Sequence, residues 1–289
     1  MPEALSGVLF LFSNGLIWGF IIALIALGLS LIFGVMGIVN MAHGDLYMIG
    51  AVISFYVVSL IGSFWLSLVI VPLLMVLIAV PMERFILRPY EGDASSTMIA
   101  TVGISFIIET SILATYGGIP HSIPDPFPVS FNLFGINYPG YRLLIACISI
   151  IILFGVWLFL YKTRFGILIR ASIQDRDMAS AMGINVNTVL IATFSLGAVL
   201  AGVGGVLAAP VYQVSHLMGN DVILLCFIVV IIGGLGSLAG TLTAALGICS
   251  FEGILIYFLT PSMARASIFI VMIIVLILRP QGLFGEKEN

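Results

Sequence analysis

Several nearly uncharged apolar stretches of 17 to 25 residues recur between Leu9 and Leu278, and only a lipid bilayer lets a chain expose that much hydrocarbon without aggregating. A helix needs about 20 apolar residues to cross the hydrocarbon core, so the pattern predicts a polytopic membrane protein. Charged residues make up 8% of the chain, against about 25% in a soluble domain, and a water-soluble fold is excluded. Within the bilayer, backbone N–H and C=O groups must be satisfied by helices or by a closed barrel. The apolar runs are continuous rather than alternating, which selects an all-α helix bundle.

Membrane segments are expected at Leu9 to Phe33, Leu46 to Gly62, Phe64 to Phe85, Thr97 to Gly117, Arg142 to Tyr161 and Val186 to Ala209. Three more follow at Asp221 to Ile232, Thr241 to Phe258 and Ala264 to Leu278. That gives about nine segments, some short or broken, in one transmembrane domain spanning residues 1–289. Of the ten Lys and Arg residues, Arg84, Arg88, Lys162, Arg164, Arg170, Arg176, Arg279 and Lys287 collect on one side, leaving Arg142 and Arg265 on the other. Positive charge is retained on the cytoplasmic side, which places the C-terminus inside and, with an odd number of spans, the N-terminus outside. The Met1-Pro2-Glu3 start lacks the basic region of a cleavable signal, so the first span is expected to be retained. No dense basic stripe suggests nucleic acid as a partner. Cys147, Cys226 and Cys249 all fall inside apolar runs and read as small hydrophobes, so neither a disulfide nor a metal site is expected.

Two glycine-rich places interrupt the spans. The seventh segment has about a dozen apolar residues, only about 18 Å of helix at 1.5 Å per residue. It runs into Gly233-Gly234-Leu235-Gly236-Ser237-Leu238-Ala239-Gly240. Irregular backbone at membrane depth is tolerated where protein buries it or where it lines a wet cavity. This stretch therefore reads as a broken or re-entrant segment beside a substrate path, or as a tight inner turn between two close helices. The second place runs from Gly34 through Gly37 to Asp45. Glycine-interrupted segments near opposite ends of a chain suggest the internal repeat that transporters use.

Polar groups are informative in so apolar a chain, because a carboxylate at the centre of a membrane helix costs at least about 2.5 kcal/mol. His43 with Asp45, Glu109 and Glu252 stand out. Glu109 and Glu252 sit at similar distances along their spans, and could line a hydrated path, pair with donors on neighbouring helices, or form a structural pair. Between Lys162 and Val186, Ala171, Asp175, Ala179 and Gly183 recur every four residues, so one helix there would show a small-residue face for docking. Gly197, Ala201, Gly205 and Ala209 form a similar stripe in the sixth span, suited to close helix packing. The external connection from Gly118 to Tyr141 carries five prolines, which rule out a continuous helix and predict an extended or hairpin cover.

Taken together, Ala26 to Gly34, followed by Gly37-Ile38-Val39-Asn40-Met41-Ala42-His43-Gly44-Asp45-Leu46, resembles the N-x-A-H-G-[ED] region of LivH-type permeases. These are membrane subunits of bacterial ABC importers for branched-chain amino acids. Arg164-Phe165-Gly166, Arg170-Ala171 and Ala179 to Asn185 resemble that family's cytoplasmic loop. Gly233 to Gly240 resembles its G-G-x-G-[ST]-x-x-G segment, and Arg279-Pro280-Gln281-Gly282-Leu283-Phe284-Gly285 its tail. Four motifs in the family's order cover essentially the whole chain.

The resemblance implies a permease half working with a second related membrane subunit, two cytoplasmic ATP-hydrolysing subunits and an extracytoplasmic binding protein. It makes the inner loop, with Arg170, Asp175, Asp177, Ala179 and Gly183, the contact for an ATPase. Asp177-Met178-Ala179 followed by Gly183 loosely resembles the E-A-A-x-x-x-G loop of ABC importers, without the Ile-x-Leu-Pro that follows it there. His43, Asp45, Glu109, Gly233, Gly234, Gly236 and Glu252 are the expected path or gating residues. No cofactor is expected on this chain, since nothing in it resembles a Gly-x-x-x-x-Gly-Lys-[Ser/Thr] phosphate loop, and ATP falls to the partners. A urea or short-chain amide permease, a more distant sugar permease, and a self-sufficient secondary transporter or channel remain alternatives. An intramembrane enzyme is disfavoured because His43 has no Ser or Cys nucleophile convincingly beside it.

Overall fold

The computed structural model describes residues 3–133 and 136–285; Met1, Pro2 and Lys287 lie outside them. In chain order the helices are α1 (Glu3–Met36), α2 (His43–Ile61), α3 (Phe64–Pro81) and α4 (Ala94–Tyr116). Two strands follow, β1 (Ser130–Leu133) and β2 (Ile136–Pro139). After them come α5 (Gly140–Lys162), α6 (Arg164–Gln174), α7 (Arg176–Ala181), α8 (Val186–Ala208), α9 (Met218–Gly233), α10 (Leu238–Phe258) and α11 (Pro261–Leu278). Eight of these helices are long and apolar enough to cross a membrane, while α9, at 16 residues, is shorter. At about 24 Å it falls below a hydrocarbon core of about 30 Å, as its sequence predicts.

Local chemistry sets the boundaries. Asp93, Thr163, Asn185 and Ser237 each accept a backbone N–H at the start of α4, α6, α8 and α10, which satisfies donors a helix start leaves free. Gly62, in the left-handed region at φ 77°, closes α2 by donating its N–H to Val58 O. Beyond Pro81, α3 continues through a π turn (Met82–Leu87) and a 3-10 turn to Tyr90. That wider turn contains the fully buried Glu83, whose two carboxylate oxygens each lie 3.0 Å from Arg88 Nη2. In the Pro-rich connection, β1 and β2 form an antiparallel hairpin with Ser130 opposite Pro139. This is the hairpin cover expected there, and the Tyr138 hydroxyl ties it to Asn14 on α1 at 2.6 Å.

At the centre stands α1, where Ile21 to Ala26 are at most 1% exposed. Lipid offers no hydrophobic drive between helices, so contact depends on close packing. Glycines permit it. A Cβ on Gly15 would stand 2.3 Å from Cys249 O on α10, and one on Gly50 would stand 2.2 Å from Gly202 O on α8. The stripe Gly197, Ala201, Gly205 and Ala209 is buried throughout, with Gly197 against Gly28 and Gly205 against Tyr47. By contrast, most of α4 and α11 faces outward.

One expectation is overturned. Residues 171–183 are not one helix, because Asp175 adopts φ −156° and ψ 106° and ends α6. Its carboxylate accepts Met178 N–H and starts α7. A short side chain that bonds its own downstream backbone favours this cap over a helix interior. The face of small residues therefore does not exist. Ala179 is buried against the bundle, and Gly183 forms a positive-φ turn. Met178 and Met182 instead point out, 59% and 77% exposed.

Candidate functional site

The chain after α1 turns back into the bundle. Gly37, at φ 66°, reverses it, and His43 then places Nε2 2.9 Å from Ile25 O. Ile25 precedes Met36 by eleven residues, about 16 Å of helix, so residues 37–42 re-enter along the side of α1. Irregular backbone at that depth needs partners, and Thr101 on α4 provides them. Its hydroxyl accepts Met41 N–H at 3.1 Å and lies 3.3 Å from Val39 O. Because Nε2 faces a carbonyl, it is the ring's donor there, and Nδ1 is buried without a partner.

Asp45 follows in the first turn of α2, 2% exposed, with neither oxygen in a well-formed hydrogen bond. Ser105 and Glu109 on α4 interact with it electrostatically. The side chain of Asn40 is likewise buried and unbonded. Gly44 packs against Gly219 so closely that a Cβ would meet Gly219 O at 2.3 Å, which fixes the start of α9 beside the re-entrant segment. Thr101, Ser105 and Glu109, four apart, form one polar stripe on α4 facing this knot, while the Thr97 hydroxyl, one step earlier, donates to Tyr90 O and Asp93 O.

Glu109 and Glu252 are not a pair. Glu109 Oε1 accepts from Asn220 Nδ2 of α9 at 2.6 Å, and Glu252 Oε1 accepts from Arg265 Nε of α11 at 3.2 Å. Sequence reasoning missed Asn220, Thr101 and Ser105. The spacing of the α4 stripe was readable, whereas Asn220 depends on a tertiary contact.

Gly233 to Gly240 forms a tight turn between α9 and α10. Gly234 and Gly236 take φ 102° and 80°, and a Cβ on Gly233 would meet the Gly240 carbonyl carbon at 2.5 Å. The tail residues complete the corner, with Leu283 N–H and Phe284 N–H donating to Ile232 O and Gly233 O at 2.8 and 3.2 Å. These bonds satisfy carbonyls that a helix end leaves open.

The two glycine breaks meet. A Cβ on Gly34 would stand 3.3 Å from Gly236 Cα, and a cleft of about 710 Å³ opens there between Gly37, Arg170 and Gln174 of α6, Ser237 and Phe284. Arg170 stacks 4.7 Å over the Tyr161 ring. Arg176, at the start of α7, pairs with Glu91 in the turn before α4. Thus α6 and α7 join the glycine junction to the base of α4. Asp177 is exposed on α7, and Asp175 serves as its cap.

Comparison with known proteins gives a consistent picture. The family described as the branched-chain amino acid transport system permease component matches residues 11–276. The chain is 29% identical to the high-affinity branched-chain amino acid transport system permease protein BraD of Pseudomonas aeruginosa, over 95% of each chain. It is 28% identical to the corresponding protein LivH of Escherichia coli K12, over 95% of this chain and 94% of that one. A probable LivH of Methanocaldococcus jannaschii is also 28% identical, over 94% and 91%. No solved structure matches.

Proposed function

The chain belongs to the family of branched-chain amino acid transport permease components, and from that premise we propose that it forms half of an ATP-driven import path for branched-chain or other hydrophobic amino acids. A second related permease subunit completes the path. Two cytoplasmic subunits bind and hydrolyse ATP, and an extracytoplasmic protein delivers substrate. In this reading the protein lies in the bacterial inner membrane with its basic end cytoplasmic and its N-terminus outside, as the distribution of Lys and Arg supports.

The observation that carries this reading is the meeting of Gly34 and Gly236 above α6. Movement of an ATPase against α7 and α6 reaches that junction directly, and reaches α4 through Arg176 and Glu91. Glycines at positive φ absorb backbone rotation there without side-chain clash. The polar knot of Asn40, His43 and Asp45, buried opposite the α4 stripe, would become the hydrophilic lining of the path once the glycine breaks move. Apolar walls contribute about 0.8 kcal/mol for each CH₂ of substrate side chain they bury. Selectivity rests mainly with the binding protein.

The test is uptake of radiolabelled leucine by proteoliposomes containing the full complex and binding protein. Uptake is expected only with ATP. If this chain alone concentrates leucine on an ion gradient, a secondary transporter replaces the importer; if urea or acetamide is carried and leucine is not, the substrate assignment fails.

A further inference from the structure

At the end opposite the basic residues, a second cavity of about 280 Å³ lies among α1, α2, α9, α11 and the connection before α9. Its wall carries two opposite charges, Asp221 on α9 and Arg265 on α11, and an apolar and aromatic side formed by Trp18, Tyr47, Tyr212 and Leu225. The Trp18 and Tyr212 rings lie 4.6 Å apart. Binding sites for small molecules are mostly apolar, with a few placed polar groups, and those for drug-sized ligands occupy about 300–1,000 Å³. This cavity is the size for one small molecule at the lower limit of that class.

The charges are poised differently. Glu252, 6% exposed, accepts from Arg265 Nε, so a buried carboxylate fixes the guanidinium from one edge. The terminal nitrogens of Arg265 make no hydrogen bond among the described residues and remain free for a planar anion, which a guanidinium binds with two parallel N–H donors. Asp221 makes no hydrogen bond or ion pair among the described residues, although the Tyr47 side chain lies within its electrostatic reach. An ammonium group beside it would also meet aromatic faces, which attract cations.

We propose that this cavity is a loading site for a single zwitterionic α-amino acid, its carboxylate on Arg265, its ammonium on Asp221 and an apolar side chain against Trp18, Tyr47 and Leu225. The inference rests on the import reading and adds that the permease itself recognises both charges of the substrate. Glu252 then acts as a positioning residue for Arg265.

The experiment uses the full permease and ATPase complex in lipid nanodiscs without binding protein, with tritiated leucine as probe. Saturable binding is expected, weakened at least tenfold by Asp221→Asn and by Arg265→Gln. The double change Arg265→Gln with Glu252→Gln, which leaves no buried carboxylate unpaired, must weaken it as much. The analogues 4-methylpentanoate and 3-methylbutylamine, each missing one charge, should compete at least tenfold less well than leucine. Absence of saturable leucine binding, wild-type binding by the variants, or equal competition by either analogue overturns the site. ATP-dependent leucine uptake with binding protein separates the two ideas. If wild-type complex imports leucine and the variants do so equally, the site is wrong and the importer stands; if wild-type complex imports no amino acid, the importer reading falls.

Discussion

Gly50→Ala asks whether helix approach or helix propensity governs the glycines of the core. The added Cβ would lie 2.2, 2.6 and 2.7 Å from O, Cα and C of Gly202, whereas non-bonded carbons settle at about 3.5–4.0 Å. All three neighbours are backbone of α8, so no side chain can turn away, and the helices must separate by about 1 Å. Overpacking of this kind costs about 1–3 kcal/mol, and the better helix propensity of Ala offsets about 0.8–1.0 kcal/mol of it. A clash with three backbone atoms belongs in the upper half of that range, about 2–3 kcal/mol, so the expected net loss is about 1–2 kcal/mol. At about 2–4 °C per kcal/mol for a large domain, Tm should fall by roughly 2–8 °C. Gly103 on α4 and Gly155 on α5 are controls, because a Cβ there meets nothing within 4 Å. Thermal unfolding in one detergent should show Gly50→Ala lowered and both control alanines unchanged or raised. A fall common to all three, or none at Gly50, would refute the close-approach argument.

Further outcomes concern the basic end and the caps. Met178→Asp with Met182→Asp should reduce ATPase copurification severalfold while leaving the protein in the membrane, and unchanged copurification would remove these exposed residues from the docking face. Ala179→Leu should loosen α7 itself, seen as faster proteolysis between α6 and α8, because Ala179 is buried. Gly236→Ala places a side chain at φ 80° with only ordinary contact to Gly34, a strain of about 1–3 kcal/mol. Leucine uptake should drop more than assembled complex, and equal loss of both would mean a merely structural turn. The Ser96 hydroxyl, followed by its backbone N–H, holds the Asp93 carboxyl below its ordinary value of 3.8. Stabilisation of the α4 start is therefore complete above that value and lost as pH falls through the lower folded one. The protection factors of the Ser95 and Ser96 amides, taken against the intrinsic exchange rate at each pH, should fall only in that acid range, and a fall already at pH 5 would contradict the cap.

The spans, the short α9 and the hairpin were legible because length, hydrophobicity and proline act locally. The α6 to α7 break was harder. A four-residue spacing of Ala171, Asp175, Ala179 and Gly183 fits a helix, yet the Asp175 side chain competes for the backbone N–H of Met178 and stops it. That competition was present in the sequence and was outweighed by the periodic pattern. Glu109 and Glu252 were visible as costly groups, but their donors Asn220 and Arg265 are 111 and 13 residues away and come together only through packing. The approach of Gly34 to Gly236 likewise follows from α1 lying against α10, which a one-dimensional reading of two glycine-rich stretches cannot supply. Arg265 was read only as a charge on the less basic side, and its place in a cavity with Asp221 depends on the fold.

Spin labels at Gln174 on α6 and Leu235 in the glycine turn, both exposed, report most directly on whether an ATPase drives that junction. Electron–electron distance distributions are compared in the complete complex without nucleotide and after trapping with ATP and vanadate. A shift of several ångströms on trapping is expected if the breaks between α1 and α10 move with α6. Identical distributions in a complex that still imports leucine would contradict the proposed coupling.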